Sequence, residues 1–231
     1  MNNTTDKSTK INETNKINET KTDDTDDKTL GIVGVVGRFK PLHIGAALML
    51  DTLCQKSEYV KIGIGSTNKY NARNPFTPEE TRDMIDLYLK PRFSNYEIFF
   101  IPDFAHISGN SDGIPWKNYV LQTYGTLDNF VSGNPYVASL LKSNYNIIHP
   151  ADVIHISKQF RMSGTMVRMA MATGNDYKQM VPPSVAEYLD KNKLVQRFRN
   201  EFGLVTLESL SEDSWSGSED IYKEKNHTLE K

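Results

Sequence analysis

Two short segments of this chain hold the residue types that handle phosphate. The first is Gly37-Arg38-Phe39-Lys40-Pro41-Leu42-His43-Ile44-Gly45-Ala46, directly after the apolar run 30–36. Backbone amides at a helix N-terminus point at any anion placed there, and glycine lets that anion approach the chain. His43 and Arg38 can add charge-assisted hydrogen bonds to phosphate oxygens. A tight strand-to-helix turn would read the same way, so this segment alone leaves both accounts open. The second segment is Met162-Ser163-Gly164-Thr165-Met166-Val167-Arg168. Ser163 or Thr165 caps a helix there, its unpaired first-turn amides form a second anion site, and Arg168 projects one turn later toward a triphosphate tail. A capped helix with a surface arginine explains this segment by itself. It explains the pair poorly if both lie at strand ends of one sheet.

The elements between them predict such a sheet. Apolar or β-branched strands are expected at 30–36, 59–64, 96–101, 129–131 and 145–149. Helical spacing is expected at 46–55, 116–124, 135–142 and 163–173. Thr77-Pro78-Glu79-Glu80 reads as an N-cap, a first-turn proline and an acidic first turn, opening a helix that runs to Pro91. Val181-Pro182-Pro183-Ser184 opens a last helix toward Lys191. Alternation of this kind predicts an α/β fold, a Rossmann-like open parallel sheet with helices on both faces. Ligands of such sheets sit beyond the carboxyl ends of the strands, where both phosphate-type segments fall.

Composition limits the rest. Of the 231 residues, 1–28 form a polar, repetitive stretch (Lys10 to Asn15 recurs from Lys16) that cannot bury enough apolar surface to order itself. Residues 203–231 read as a second polar, flexible tail, leaving 29–202 as one domain. A net charge of −2 makes no electrostatic case for nucleic acid or a membrane surface. No apolar run is long enough to span a bilayer, and a cytoplasmic location is expected. Cys54, the one cysteine, fits an amphipathic helix and reads as a buried small hydrophobe. His106, His149 and His155 are too scattered to propose a metal site, and read as loop or strand-edge residues.

Taken together, the two segments resemble the nucleotidylyltransferase superfamily, whose patterns are GxFxPxHxGH and an ISGTxxR-like helix start. The resemblance narrows to the archaeal-type nicotinamide mononucleotide (NMN) adenylyltransferases through Gly65-Ser66-Thr67-Asn68-Lys69, Asn74-Pro75-Phe76-Thr77, Ile101-Pro102-Asp103, Ser132-Gly133-Asn134-Pro135 and Val181-Pro182-Pro183. It spans about residues 30–195 in order. It implies transfer of AMP from ATP to NMN, giving NAD and pyrophosphate, with Mg²⁺ accompanying ATP, and it implies a homo-oligomer. Carried onto this chain, it places Gly37, Arg38, Phe39, His43 and Gly45 on one side of the ATP phosphates. Ser163, Gly164, Thr165 and Arg168 stand on the other. His43, Arg38 and Arg168 are the candidate catalytic groups, and Ser132 and Asn134 would line the adenosine pocket. Asp103 and Trp116 would hold the nicotinamide part, and Lys69 and Arg73 lie in a loop that could reach a phosphate.

Three departures stand out. Ala46 occupies the place of the second histidine of the pattern, and losing one preorganised donor costs on the order of 10² to 10³ in rate. Lys40 replaces a glutamine usual in the family; it either adds a cation beside the phosphates or points to solvent. The loop 106–113 is longer and richer in glycine than the pattern, which bears on the acceptor side. Two further readings follow: a catalytically impaired nucleotide-binding sensor or scaffold, and an adenylyl- or cytidylyltransferase for another phosphorylated small molecule.

Overall fold

The apolar run after residue 30 becomes the central strand of a five-stranded parallel sheet ordered β3-β2-β1-β4-β5. The strands are β1 (Ile32–Gly37), β2 (Tyr59–Gly65), β3 (Tyr96–Ile101), β4 (Asn129–Val131) and β5 (Asn146–Ile148). This computed structural model describes residues 30–104, 112–154 and 162–212. His106, His155, most of the loop 106–113 and both outer tail segments lie outside the described residues. Among the described residues, no helix is long and apolar enough to cross a membrane.

Among the described residues, eight α-helices connect and flank the strands: α1 (Ile44–Lys56), α2 (Pro78–Leu89), α3 (Ile114–Tyr124), α4 (Pro135–Leu141), α5 (Pro150–Val153), α6 (Gly164–Thr173), α7 (Pro183–Lys191) and α8 (Leu194–Glu212). The side-chain alternation of β1 splits the core in two. Val33 and Val35 join the larger cluster with Leu50, Leu53, Cys54, Met84, Val167 and Phe198 from α1, α2, α6 and α8. Ile32 and Val36 face the smaller cluster of Val120, Tyr124, Phe130 and Leu141, built largely by α3, β4 and α4. Tyr124 is fully buried there because its hydroxyl donates to the Val35 carbonyl at 2.8 Å. Cys54 is a free, buried thiol in the larger cluster, as its helical spacing indicates.

The chain turns back on itself between β1 and β4. Strands β1, β2 and β3 step outward in one direction, and α3 then returns the chain to the other side of β1. In open parallel sheets the point where strand order reverses, at the carboxyl ends of the two diverging strands, is where a crevice forms. Arg38 follows β1 there and Ser132 follows β4.

Helix α2 begins as the sequence predicts. Thr77 Oγ1 accepts from the Glu80 amide while Glu80 reaches back to the Thr77 amide, a reciprocal capping box with Pro78 in the first turn. The carboxyl end differs from the expectation drawn from composition. Helix α8 continues through Gly203 to Glu212, past the point where a polar tail was expected to begin. Apolar spacing through Leu194, Val195, Phe198 and Phe202 carries the helix across the glycine, and Thr206 is still buried. Arg199 Nε donates to the Met171 carbonyl at 2.6 Å, fastening α8 to α6. Arg197 makes a bidentate ion pair with Glu80 of α2, both bonds 2.6 Å, and donates to the Pro75 carbonyl at 3.2 Å. Tyr70 bonds Glu201 and packs edge-on against Phe202. Helix α8 therefore braces the loop that carries Arg73.

Candidate functional site

After β1 the chain reverses sharply. Phe39 takes a left-handed backbone conformation at φ 53°, which costs a side-chain-bearing residue about 1 kcal/mol. Its ring folds back over Gly37, where an added Cβ would stand 2.6 Å from the ring. Any larger residue at the strand end would have to displace that ring. Helix α1 opens at His43, whose Nδ1 accepts from the Ala46 amide at 3.2 Å, while the His43 carbonyl takes the Ala47 amide. The Ile44 and Gly45 amides, in the first turn, have no intrahelical acceptor. Because Nδ1 is an acceptor, the neutral ring carries its proton on Nε2. Burial, and secondarily the Arg168 charge, lowers His43 to about 4, so the neutral ring prevails at pH 7.

Helix α6 opens against this turn. Ser163 Oγ accepts from the Met166 amide at 3.3 Å, which makes Ser163 the cap. Thr165 instead steadies a side chain, its Oγ1 accepting from Arg168 Nη2 at 3.1 Å. Arg168 Nη1 reaches back across 128 residues to the Lys40 carbonyl at 3.0 Å. An added Cβ on Gly164 would lie 3.0 Å from Arg168 Nη1, so glycine keeps the guanidinium's place open. Gly45 and Met162 are neighbours in the same way, so the two helix starts face one another. Arg168 is 7% exposed, and burial with the Arg38 and Arg73 charges pushes it down to about 9. Like charges gathered in this way favour an anion between them. Among the described residues, no group of three or more His, Cys, Asp or Glu is placed to hold a metal ion.

On the other flank, Asp103 follows β3. Its Oδ2 accepts from Ser66 Oγ at 3.2 Å, and its backbone exchanges two bonds with the Asn68 side-chain amide at 2.7 and 2.8 Å. Phe104 packs on Tyr119 of α3 with ring centroids 5.7 Å apart. That contact brings the end of β3 beside Trp116, which stands in the first turn of α3, partly buried against the smaller cluster. At the end of β4, Ser132 Oγ accepts from the Asn134 amide at 3.2 Å. Asn134 Oδ1 caps α4 by accepting from the Tyr136 and Val137 amides.

No family model matches the chain. A nicotinamide-nucleotide adenylyltransferase of Pyrococcus horikoshii is 30% identical over 167 residues, covering 71% of this chain and 86% of that protein. One from Thermococcus onnurineus is 31% identical over 169 residues, covering 71% and 84%. The chain belongs to the nicotinamide-nucleotide adenylyltransferase family. A solved structure of a bifunctional NMN adenylyltransferase/ADP ribose pyrophosphatase from Francisella tularensis, in complex with AMP and a manganese ion, shares the fold. Its TM-score is 0.59 at 20% identity, over 82% of this chain and 58% of that one.

The residues that the sequence nominates for this family's site divide in the fold. Gly37, Arg38, Phe39, His43, Gly45, Ser163, Gly164, Thr165 and Arg168 gather around one crevice. Arg73 joins them through its charge on Arg168. Lys69 lies in the same loop, its backbone amide donating to the Ser66 carbonyl. Ser132 and Asn134 lie on the β4 wall; Asp103 and Trp116 lie on the β3–α3 side. Lys40 is neither solvent-directed nor a loose cation beside the crevice. It is 1% exposed and its Nζ donates to the Ser66 carbonyl at 3.2 Å. Ser66 and Asn68 belong to a segment that carries the family resemblance, but only the fold shows that they hold Asp103.

The lowered His43 pKa has a consequence for stability. A group whose neutral form is favoured by folding stabilises fully above its unfolded value near 6.5, and that stability is lost as pH falls toward 4. The loss is on the order of 3 kcal/mol. Urea unfolding of the wild type and of His43→Gln at pH 7.5 and 4 is expected to show the wild type losing more stability by that amount. Equal losses would contradict the neutral, buried assignment.

Proposed function

We propose that this chain transfers AMP from ATP to the 5′-phosphate of NMN, yielding NAD and pyrophosphate. The observation that carries the reading is the hydrogen bond from Arg168 to the Lys40 carbonyl. It joins two helix N-termini and the arginines 38, 73 and 168 around one point at the strand-order reversal. The family of the chain supports NMN as acceptor. A triphosphate lying between residues 37–45 and 163–168 presents its α-phosphorus to an acceptor on the side of Asp103 and Trp116. An oxygen of the acceptor phosphate forms the new bond to that phosphorus. The bond to the bridging oxygen of the β-phosphate breaks, and pyrophosphate leaves with the electron pair. No covalent enzyme intermediate is needed.

The protein's work is positioning and charge neutralisation. Arg168 and Arg38 offset charge on the leaving pyrophosphate, and neutral His43 donates from Nε2 to a phosphate oxygen. Ser132 and Asn134 line the adenosine wall; Trp116 stacks on the nicotinamide ring, and Asp103 orients that half of the acceptor. The crevice is lined by cations, which favour the ATP phosphates and not a free metal ion, so a divalent metal would enter held by the phosphate oxygens of ATP. With Ala46 in place of a second histidine, the rate is reduced rather than abolished.

A panel of phosphorylated acceptors with ATP or CTP, scored by pyrophosphate release, tests the assignment. ATP with NMN is expected to exceed every other pair by on the order of 10-fold or more in kcat/KM. Another acceptor or CTP performing as well would contradict it.

A further inference from the structure

Lys40 has no part in the transfer itself, yet among the described residues no other charged side chain is as deeply placed. It is 1% exposed, and among the described residues it forms no ion pair; its ammonium has the single bond to the Ser66 carbonyl. Burial and the Arg38 charge push it down to about 8. A buried cation without a counter-charge is destabilising in itself, so its presence calls for a reason beyond packing. Its burial also keeps it from touching a substrate.

What Lys40 does touch is informative. Its backbone carbonyl is gripped by Arg168, from the donor-phosphate side of the crevice. Its ammonium holds the Ser66 carbonyl just past β2, and the Ser66 hydroxyl donates to the Asp103 carboxylate on the acceptor side. One residue thus links both halves of the site through hydrogen bonds of 3.0, 3.2 and 3.2 Å. Asn68 also ties Asp103, but by its backbone, whereas the Ser66 hydroxyl bonds the carboxylate itself. We propose that Lys40 is a positioning residue for the acceptor nucleotide: through Ser66 it sets the Asp103 carboxylate relative to the donor phosphates held by Arg168. The inference rests on the proposed AMP transfer to NMN.

The test is a double-mutant cycle on Lys40→Met and Ser66→Ala. Methionine approximates the lysine stem and removes a buried charge, so folding is expected to survive; Ser66→Ala breaks the same path from its other end and keeps the test independent of that expectation. Each variant is expected to raise the KM for NMN by about 10-fold, while the Kd for ATP, titrated without acceptor, moves less than about 3-fold. The double variant is expected to show little more than either single one, because both cut one path. A KM for NMN unmoved in both variants, equal losses for ATP and NMN, or multiplicative effects would each overturn the inference. Those outcomes leave NAD formation by the wild type intact; absence of NAD from the wild type would instead overturn the functional reading, and this inference with it.

Discussion

Replacing Arg168 by methionine is expected to lower kcat/KM for ATP by on the order of 10³. The guanidinium is held by two bonds, to the Lys40 carbonyl and to Thr165 Oγ1, in a place where burial and neighbouring arginines already press against its charge. A polyanion relieves that pressure, and the relief is greatest as charge builds on the leaving pyrophosphate. The free protein should respond differently. Removing a buried like charge offsets much of the lost bonding, so the melting temperature without ligand is expected to shift by only about 2–4 °C. ATP should raise the melting temperature of the wild type and leave that of Arg168→Met nearly unchanged. Lysine is no substitute, because a point charge cannot bridge the Lys40 carbonyl and Thr165 together. A loss below about 10-fold in Arg168→Met would remove Arg168 from the phosphate site.

Ala46→His is expected to raise kcat by about 10², the reciprocal of what one missing preorganised donor costs. The backbone at this position is already correct. The Ala46 amide is fixed on His43 Nδ1 in the first turn of α1, and the next amide is taken by the His43 carbonyl. Only the side chain differs from the family pattern. Ala46 is 9% exposed and borders the larger apolar cluster, so the imidazole must leave toward the crevice, with a stability cost of about 1 kcal/mol. A folded variant with unchanged kcat would mean that the existing cations already neutralise the charge that a second histidine would meet.

The sheet is legible because its strands read as short apolar runs, even where the edge strands β3 and β5 are only partly buried; β3 and β4 match their expected limits. Helix starts were legible where a side chain caps them, as at Thr77 and Ser163. The extension of α8 was not, because a glycine and a run of polar residues mask a stripe that has meaning only against α6. The site divides the same way. Local segments with their own chemistry, 37–46 and 162–168, could be found by spacing. The bond between Arg168 and Lys40 could not, since a contact across 128 residues leaves no local pattern. Nor could the placing of Arg73, in a polar loop, where its charge acts on Arg168. Lys40 is hidden for a related reason: a lysine in a turn between two glycines reads as a cation beside the phosphates or a solvated one, and only the fold turns it inward to Ser66.

The most direct measurement is incubation of the full chain with ATP, Mg²⁺ and NMN, with NAD quantified by chromatography and pyrophosphate measured alongside. NAD and pyrophosphate are expected in equal amounts, slowly from the wild type and about 10² faster from Ala46→His. Absence of NAD from both proteins would contradict AMP transfer to NMN by this chain.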